Sequence, residues 1–117
     1  CGSGTIAIEA ALMATNRAPG LLRSAYGIQH LSTFDADAWR MQRLDAKKQT
    51  AKSTPAPIIA SDIDEAMVDA ARRNAVTAGV DHLIEFKVCD FADTPIPDAA
   101  GTVVLHGEYG QRLGETE

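Results

Sequence analysis

The chain has 117 residues, 45% of them hydrophobic and 23% charged, with a formal net charge of −5. That size and balance describe one globular domain or less, and no apolar run reaches the roughly 18 residues that a membrane span needs. An acidic total gives the chain no electrostatic reason to hold a nucleic-acid backbone by itself, so a polyanion would need a basic surface supplied from elsewhere. The two cysteines, Cys1 and Cys89, stand too far apart to form a metal-binding pair, and no clustered histidines join them. They read as reduced thiols of a cytoplasmic protein, with no metal site.

The chain opens on Cys1-Gly2-Ser3-Gly4-Thr5-Ile6, a glycine turn that runs straight into an alanine-rich stretch. Glycines flanking one small residue let the backbone turn sharply and approach a ligand, and a helix that follows presents free N–H groups there. Such a turn normally follows a buried strand, so the expectation is a fragment whose first strand lies before Cys1. Thr5 to about Thr15 is apolar on most faces, with Glu9 its single charge, and predicts a buried helix that ends before Pro19-Gly20. Leu21–Thr33 predicts a loop, with a short turn at Tyr26-Gly27. A second helix is expected after Asp35 or Asp37, running through Trp39, Met41 and Leu44 to about Lys52, and Ser53–Pro57 follows as a stiff linker.

Beyond that linker the pattern alternates between strand and helix. Ile58-Ile59-Ala60 predicts a buried parallel strand, and Asp64 caps a helix from Glu65 to Ala78 that Gly79 stops. The expected buried face of that helix is Ala66, Met67, Ala70, Ala71, Ala75 and Val76. Leu83–Val88 predicts a strand ending at Cys89-Asp90, and Thr102–Leu105 another, ending at His106. This order implies an open, parallel α/β sheet. Met13, Met41 and Met67 are expected in the core, as is Trp39; Arg17 and Arg23 could meet RNA phosphate, with a solvated surface the default expectation.

In such a sheet ligands bind at the carboxyl ends of the strands, where Asp62, Asp90 and the 106–109 segment fall beside the glycine turn. A carboxylate at Asp62 can accept both hydroxyls of a ribose. A group after the next strand can take an exocyclic amine, so the features together describe a pocket for an adenosine-containing cofactor.

The residues that define this pocket also carry a resemblance. Cys1–Ala10, Asn16–Gly20, Ser61-Asp62-Ile63-Asp64, Arg72-Arg73-Asn74-Ala75 with Ala78-Gly79-Val80, and Tyr109–Glu115 resemble the THUMP-associated RNA methyltransferases over nearly the whole chain. Members of that family carry the label N6-adenine-specific DNA methylase and include the 23S rRNA guanine-N2 methyltransferases. The resemblance implies a Rossmann-like class I methyltransferase fold, here a fragment lacking its first strand and its C-terminal strands, with residues 1–117 a partial catalytic domain. It also implies S-adenosyl-L-methionine as cofactor, held by Gly2, Ser3, Gly4, Asp62, Ile63 and Asp90. The substrate implied is RNA, rRNA in particular, recognised through an RNA-binding domain outside this chain. Gly4 and Asp62 are about 58 positions apart against about 20 in a dinucleotide fingerprint, and the family carries an insertion in that place, at about 16–57 here.

One departure concerns the catalytic segment. Where the family has Asn-Pro-Pro-Tyr, this chain has His106-Gly107-Glu108-Tyr109. In the family the amide and a proline carbonyl orient the target amine while the aromatic ring stacks on the extruded base. Tyr109 keeps the stacking position, and His106 or Glu108 would have to accept the hydrogen bond. That substitution leaves open a cofactor-binding module without transfer activity. An NAD-linked oxidoreductase is the further alternative, because Gly2, Gly4 and Ala7 also fit Gly-x-Gly-x-x-Ala.

Overall fold

A computed structural model of the chain describes residues 1–98 and 100–106. Helix α1 spans Thr5–Ala14, α2 Ala36–Lys48 and α3 Glu65–Ala78; strand β1 spans Ile58–Asp62 and β2 Ile84–Val88. Short 3-10 turns lie at Gly27–His30, Asp81–Leu83 and Phe91–Asp93. The two strands pair in parallel, with Ile58 opposite Ile84 and Asp62 opposite Val88, and α3 makes the crossover between them. This is the βαβ unit of an α/β fold, as the alternating pattern predicts.

Local signals explain most of the boundaries. Asp64 Oδ1 accepts the Ala66 N–H at 2.8 Å and starts α3, and Gly79 at φ 70° ends it in the left-handed geometry that a Cβ disfavours. Asp35, rather than Asp37, caps α2, accepting the Ala38 N–H at 2.9 Å. That helix stops at Lys48, about one turn before the expected end.

The core gathers Ile8 and Ala11 of α1, Ala60 of β1, Ala75 of α3, then Val80 and Ile84. On α3 the fully buried positions are Val68, Ala71 and Ala75, whereas Met67 and Val76 face outward. The expected face of α3 is therefore rotated, because the helix turns its smallest residues toward the rest of the fold. The methionines are not core: Met13 is 79% exposed, Met41 61% and Met67 39%. Each sits at helical spacing, but α1 and α3 bury only one narrow face and α2 buries no residue fully.

The strand expected at Thr102–Leu105 is absent among the described residues, where the backbone is irregular and Val103 and Leu105 are exposed. A buried parallel strand exists only by pairing with a neighbour, and no such neighbour stands beside this run among the described residues. No helix among the described residues is long and apolar enough to cross a membrane.

Residues 16–50 form an excursion from the βαβ unit that closes on itself. Thr15 is buried, its hydroxyl bonded to the Ala11 carbonyl at 2.7 Å, and its own carbonyl accepts the Ala51 N–H at 2.8 Å. Within the excursion Tyr26 packs edge-on against Trp39 with ring centroids 5.0 Å apart, and the Arg43 guanidinium lies over the Tyr26 ring at 5.1 Å. The indole N–H of Trp39 is buried and has no hydrogen-bond partner among the described residues, a state that costs roughly 1–3 kcal/mol. Trp39 is accordingly half-buried within the excursion rather than part of the sheet core.

Candidate cofactor site

The glycine turn and the end of β1 meet. Gly2 at φ 52° and Gly4 at φ 84° both adopt left-handed geometry, closed by the Gly4 N–H donating to the Cys1 carbonyl at 3.0 Å. The Gly2 N–H then donates to Asp62 Oδ2 at 2.8 Å, and the Cys1 ammonium donates to the same oxygen at 2.7 Å. Asp62 Oδ1 accepts the Asp64 N–H at 3.0 Å. A single carboxylate thus joins the first turn of the chain to the strand 60 residues later.

The two glycines do different work. A Cβ built on Gly4 would stand 2.8 Å from the Ala71 Cβ, so Gly4 lets α3 approach the turn as closely as it does. A Cβ on Gly2 would meet nothing within 4 Å. Open space beside left-handed backbone is what a ligand needs for close approach. Ser3 is fixed from the other side, its carbonyl accepting the Asn74 side-chain amide of α3 at 2.9 Å.

Asn74 and Ala71 position the turn, a role that the residue pattern did not assign to either. The available signal was an Asn in the middle of a helix, where it is a poor helix former and usually has a bond elsewhere.

Asp62 is charged over the whole physiological range. Burial acts to raise its pKa, but the hydrogen bonds from the Cys1 ammonium, Asp64 and Gly2, with the ammonium's charge, outweigh it and lower the value from 3.8 to about 2. The folded value lies below the unfolded one, so the stabilisation is fully present above about pH 4 and fades as the pH falls toward 2. About 2 kcal/mol is expected to vanish over that window. Urea denaturation between pH 5 and pH 2 checks this, since an Asp62→Asn variant lacks that component. Where a peptide bond precedes Cys1, its nitrogen is uncharged and has one hydrogen for the two acceptors, the Ser61 carbonyl and Asp62, and the window narrows.

Asp90 lies at the same carboxyl edge. The Cys89 N–H donates to the Asp62 carbonyl at 3.0 Å, and the Ser61 and Thr94 hydroxyls share a hydrogen bond that draws the following loop back over β1. Asp90 itself accepts the Ala92 N–H at 2.9 Å and so caps the 3-10 turn. Ile63 is 74% exposed beside Asp62, an apolar surface free to meet a ligand. His106 lies in exposed irregular backbone, and Glu108 and Tyr109 lie outside the described residues.

A separate concavity lies elsewhere. A cleft of about 680 Å³ opens in the excursion between Arg17 and α2, away from the glycine turn. Arg17 was expected on a solvated surface, but its guanidinium donates to the Ala78 carbonyl at 2.8 Å, a cation at the negative end of α3.

This chain is similar to known proteins over its full length. The family model described as RMKL-like, methyltransferase domain, UPF0020, matches residues 1–117. Ribosomal RNA large subunit methyltransferase K/L of Shewanella baltica strain OS185 is 44% identical over 97% of this chain, and the protein of the same name from Shewanella sp. strain ANA-3 is 43% identical. The chain spans 16% of the length of these curated relatives.

Among solved structures, SMU.472, crystallised as a complex with SAH, superposes with a TM-score of 0.86 at 30% identity, over 98% of this chain and 30% of that one. A predicted N6-adenine-specific DNA methylase from Listeria monocytogenes str. 4b F2365 gives 0.84 at 38% identity, over 97% and 30%. The α/β architecture is therefore that of the class I methyltransferases, and the NAD-linked alternative falls away. With the matched family model covering every residue, this chain belongs to the RMKL-like methyltransferase domain family, UPF0020.

Proposed function

We propose that the protein containing this chain transfers a methyl group from S-adenosyl-L-methionine to an exocyclic amine of a ribosomal RNA base, guanine N2 being the acceptor its resemblance favours. The observation that carries the reading is the hydrogen bond from Gly2 N–H to Asp62, which puts an open glycine turn and a charged carboxylate in one crevice at the end of β1.

The residues present fit such a cofactor. A carboxylate has about four acceptor positions, and the N–H groups of Gly2 and Asp64 take two of those on Asp62, leaving room for ribose hydroxyls. Gly2, Ser3 and Gly4 would line the methionine portion, Ile63 would cover the adenine, and Asp90 would stand near its amine. The bound cofactor supplies a methyl group on a sulfonium, open to in-line attack by an amine.

What the protein adds is position. Catalysis of this kind rests on holding the amine about 3–3.5 Å from the methyl carbon with its lone pair aligned. His106 or Glu108 would accept a hydrogen bond from that amine, and Tyr109 would stack on the base. Glu108 or solvent would take the proton released. Recognition of RNA would involve a further domain of the longer protein, and a ribosomal RNA substrate would be met in the cytoplasm.

The test is radiolabelled methyl incorporation into ribosomal RNA from a strain lacking the gene, alongside calorimetric titration of the intact protein with S-adenosylhomocysteine and with NAD. Transfer to the RNA together with S-adenosylhomocysteine binding is expected. Cofactor binding with no incorporation would leave a binding module without transfer activity, the outcome that the His106-Gly107-Glu108 replacement makes worth measuring.

A further inference from the structure

We infer that the cleft in the excursion is a docking surface for the RNA phosphate backbone, separate from the cofactor crevice; this rests on the RNA-methylating reading above. The net charge of −5 conceals a strong segregation. Residues 16–57 hold seven lysines and arginines against three aspartates, a net of +4, while the rest of the chain holds four against thirteen, a net of −9. The acidic total that argued against a polyanion does not apply to this segment.

The structure concentrates that charge further. Arg17, Arg40, Arg43, Lys47 and Lys52 line the cleft, and no Asp or Glu does so among the described residues. Arg40, Arg43 and Lys47 recur at i, i+3 and i+7, which places them along one face of α2. Like charges at that spacing repel and weaken the helix that carries them, and an anion lying along the face relieves the repulsion. Arg40 is only loosely engaged, by exposed Asp37 at 3.3 Å. Trp39 lines the same cleft.

A single-stranded or looped RNA is the occupant that fits. Its phosphates repeat along a line as these cations do, and its bases offer faces to the Trp39 ring that lines the cleft. Arg17 and Arg43 also bond backbone carbonyls, at Ala78 and at Leu21 and Arg23, and so hold the cleft in shape. Arg40, Lys47 and Lys52 are exposed and are the free contributors.

The experiment compares the intact protein with an Arg40→Gln/Lys47→Gln/Lys52→Gln variant in filter binding to in-vitro transcribed large-subunit ribosomal RNA at several salt concentrations. Expected are an affinity loss of at least about ten-fold near 100 mM salt and a log–log salt slope shallower by about 2, from the roughly 0.7 lost per contact to single strands. The KM for RNA rises correspondingly while kcat and S-adenosylhomocysteine affinity stay unchanged, the last also reporting that the variant is folded. Lys47→Arg/Lys52→Arg keeps wild-type binding. Lys48→Glu, on the same helix but outside the cleft, changes affinity less than two-fold. If the wild type methylates ribosomal RNA and the triple variant binds it equally well, or if Lys48→Glu is as damaging as the triple variant, the cleft proposal falls and the enzyme reading stands. If the wild type neither binds nor methylates the RNA, both fall.

Discussion

Alanine at Gly4 is expected to destabilise the fold by roughly 3 kcal/mol, read as a shift in the urea midpoint. Two costs add: a Cβ in left-handed backbone costs about 1–2 kcal/mol, and forcing it against Ala71 costs about 1–3 kcal/mol. The Ala71 Cβ would be 2.8 Å away, closer than two carbons can sit, and Ala71 belongs to a rigid helix with no longer side chain to swing aside. The same change at Gly2 meets nothing within 4 Å and is expected to cost only the conformational part, about 1 kcal/mol. Equal losses at the two glycines would mean that α3 yields, and that the close approach at Gly4 is not a constraint.

Removing the carboxylate at position 62 is the second large effect. Asp62→Ala leaves the N–H groups of Gly2 and Asp64 without their acceptor and the nitrogen of Cys1 with the Ser61 carbonyl only. Hydrogen bonds to a charged group contribute about 1.5–3 kcal/mol each, but water reaches this partly exposed site and takes over part of the loss. A net cost of about 2–3 kcal/mol is expected. Under the proposed function the variant also binds S-adenosylhomocysteine at least about ten-fold more weakly, measured by calorimetry at a temperature where it is folded; one lost ligand hydrogen bond is worth about that much. A variant that loses stability and keeps full affinity would make Asp62 a clasp for the turn and nothing more.

How much of this was legible beforehand depends on whether the signal was local. Helix α3 was readable to the residue because Asp64 and Gly79 mark its ends by their own hydrogen bonds and backbone geometry. The strand at Ile58 and the meeting of Asp62 with the glycine turn followed from the strand–helix alternation and from where carboxyl ends must lie. The outward methionines were not readable, because helical spacing marks a face without saying which face meets the sheet. Thr102–Leu105 has strand composition, yet a strand is a property of two segments and composition describes one. The basic cleft was hidden by a sum, since −5 averages a cationic excursion with an anionic scaffold. Of the segment proposed to be catalytic, Glu108 and Tyr109 lie outside the described residues, and His106 by itself does not define an acceptor site.

The clasp between Thr15 and Ala51 gives this arrangement its latitude. Because the chain departs and returns through one pair of neighbouring atoms, 2.8 Å apart, lengthening or pruning what hangs between them leaves strand register untouched, at a closure entropy that grows only with the logarithm of length. The appendage can therefore be rewritten while the crevice at the end of β1 stays put, and these two residues are the natural points at which to graft a sibling's appendage.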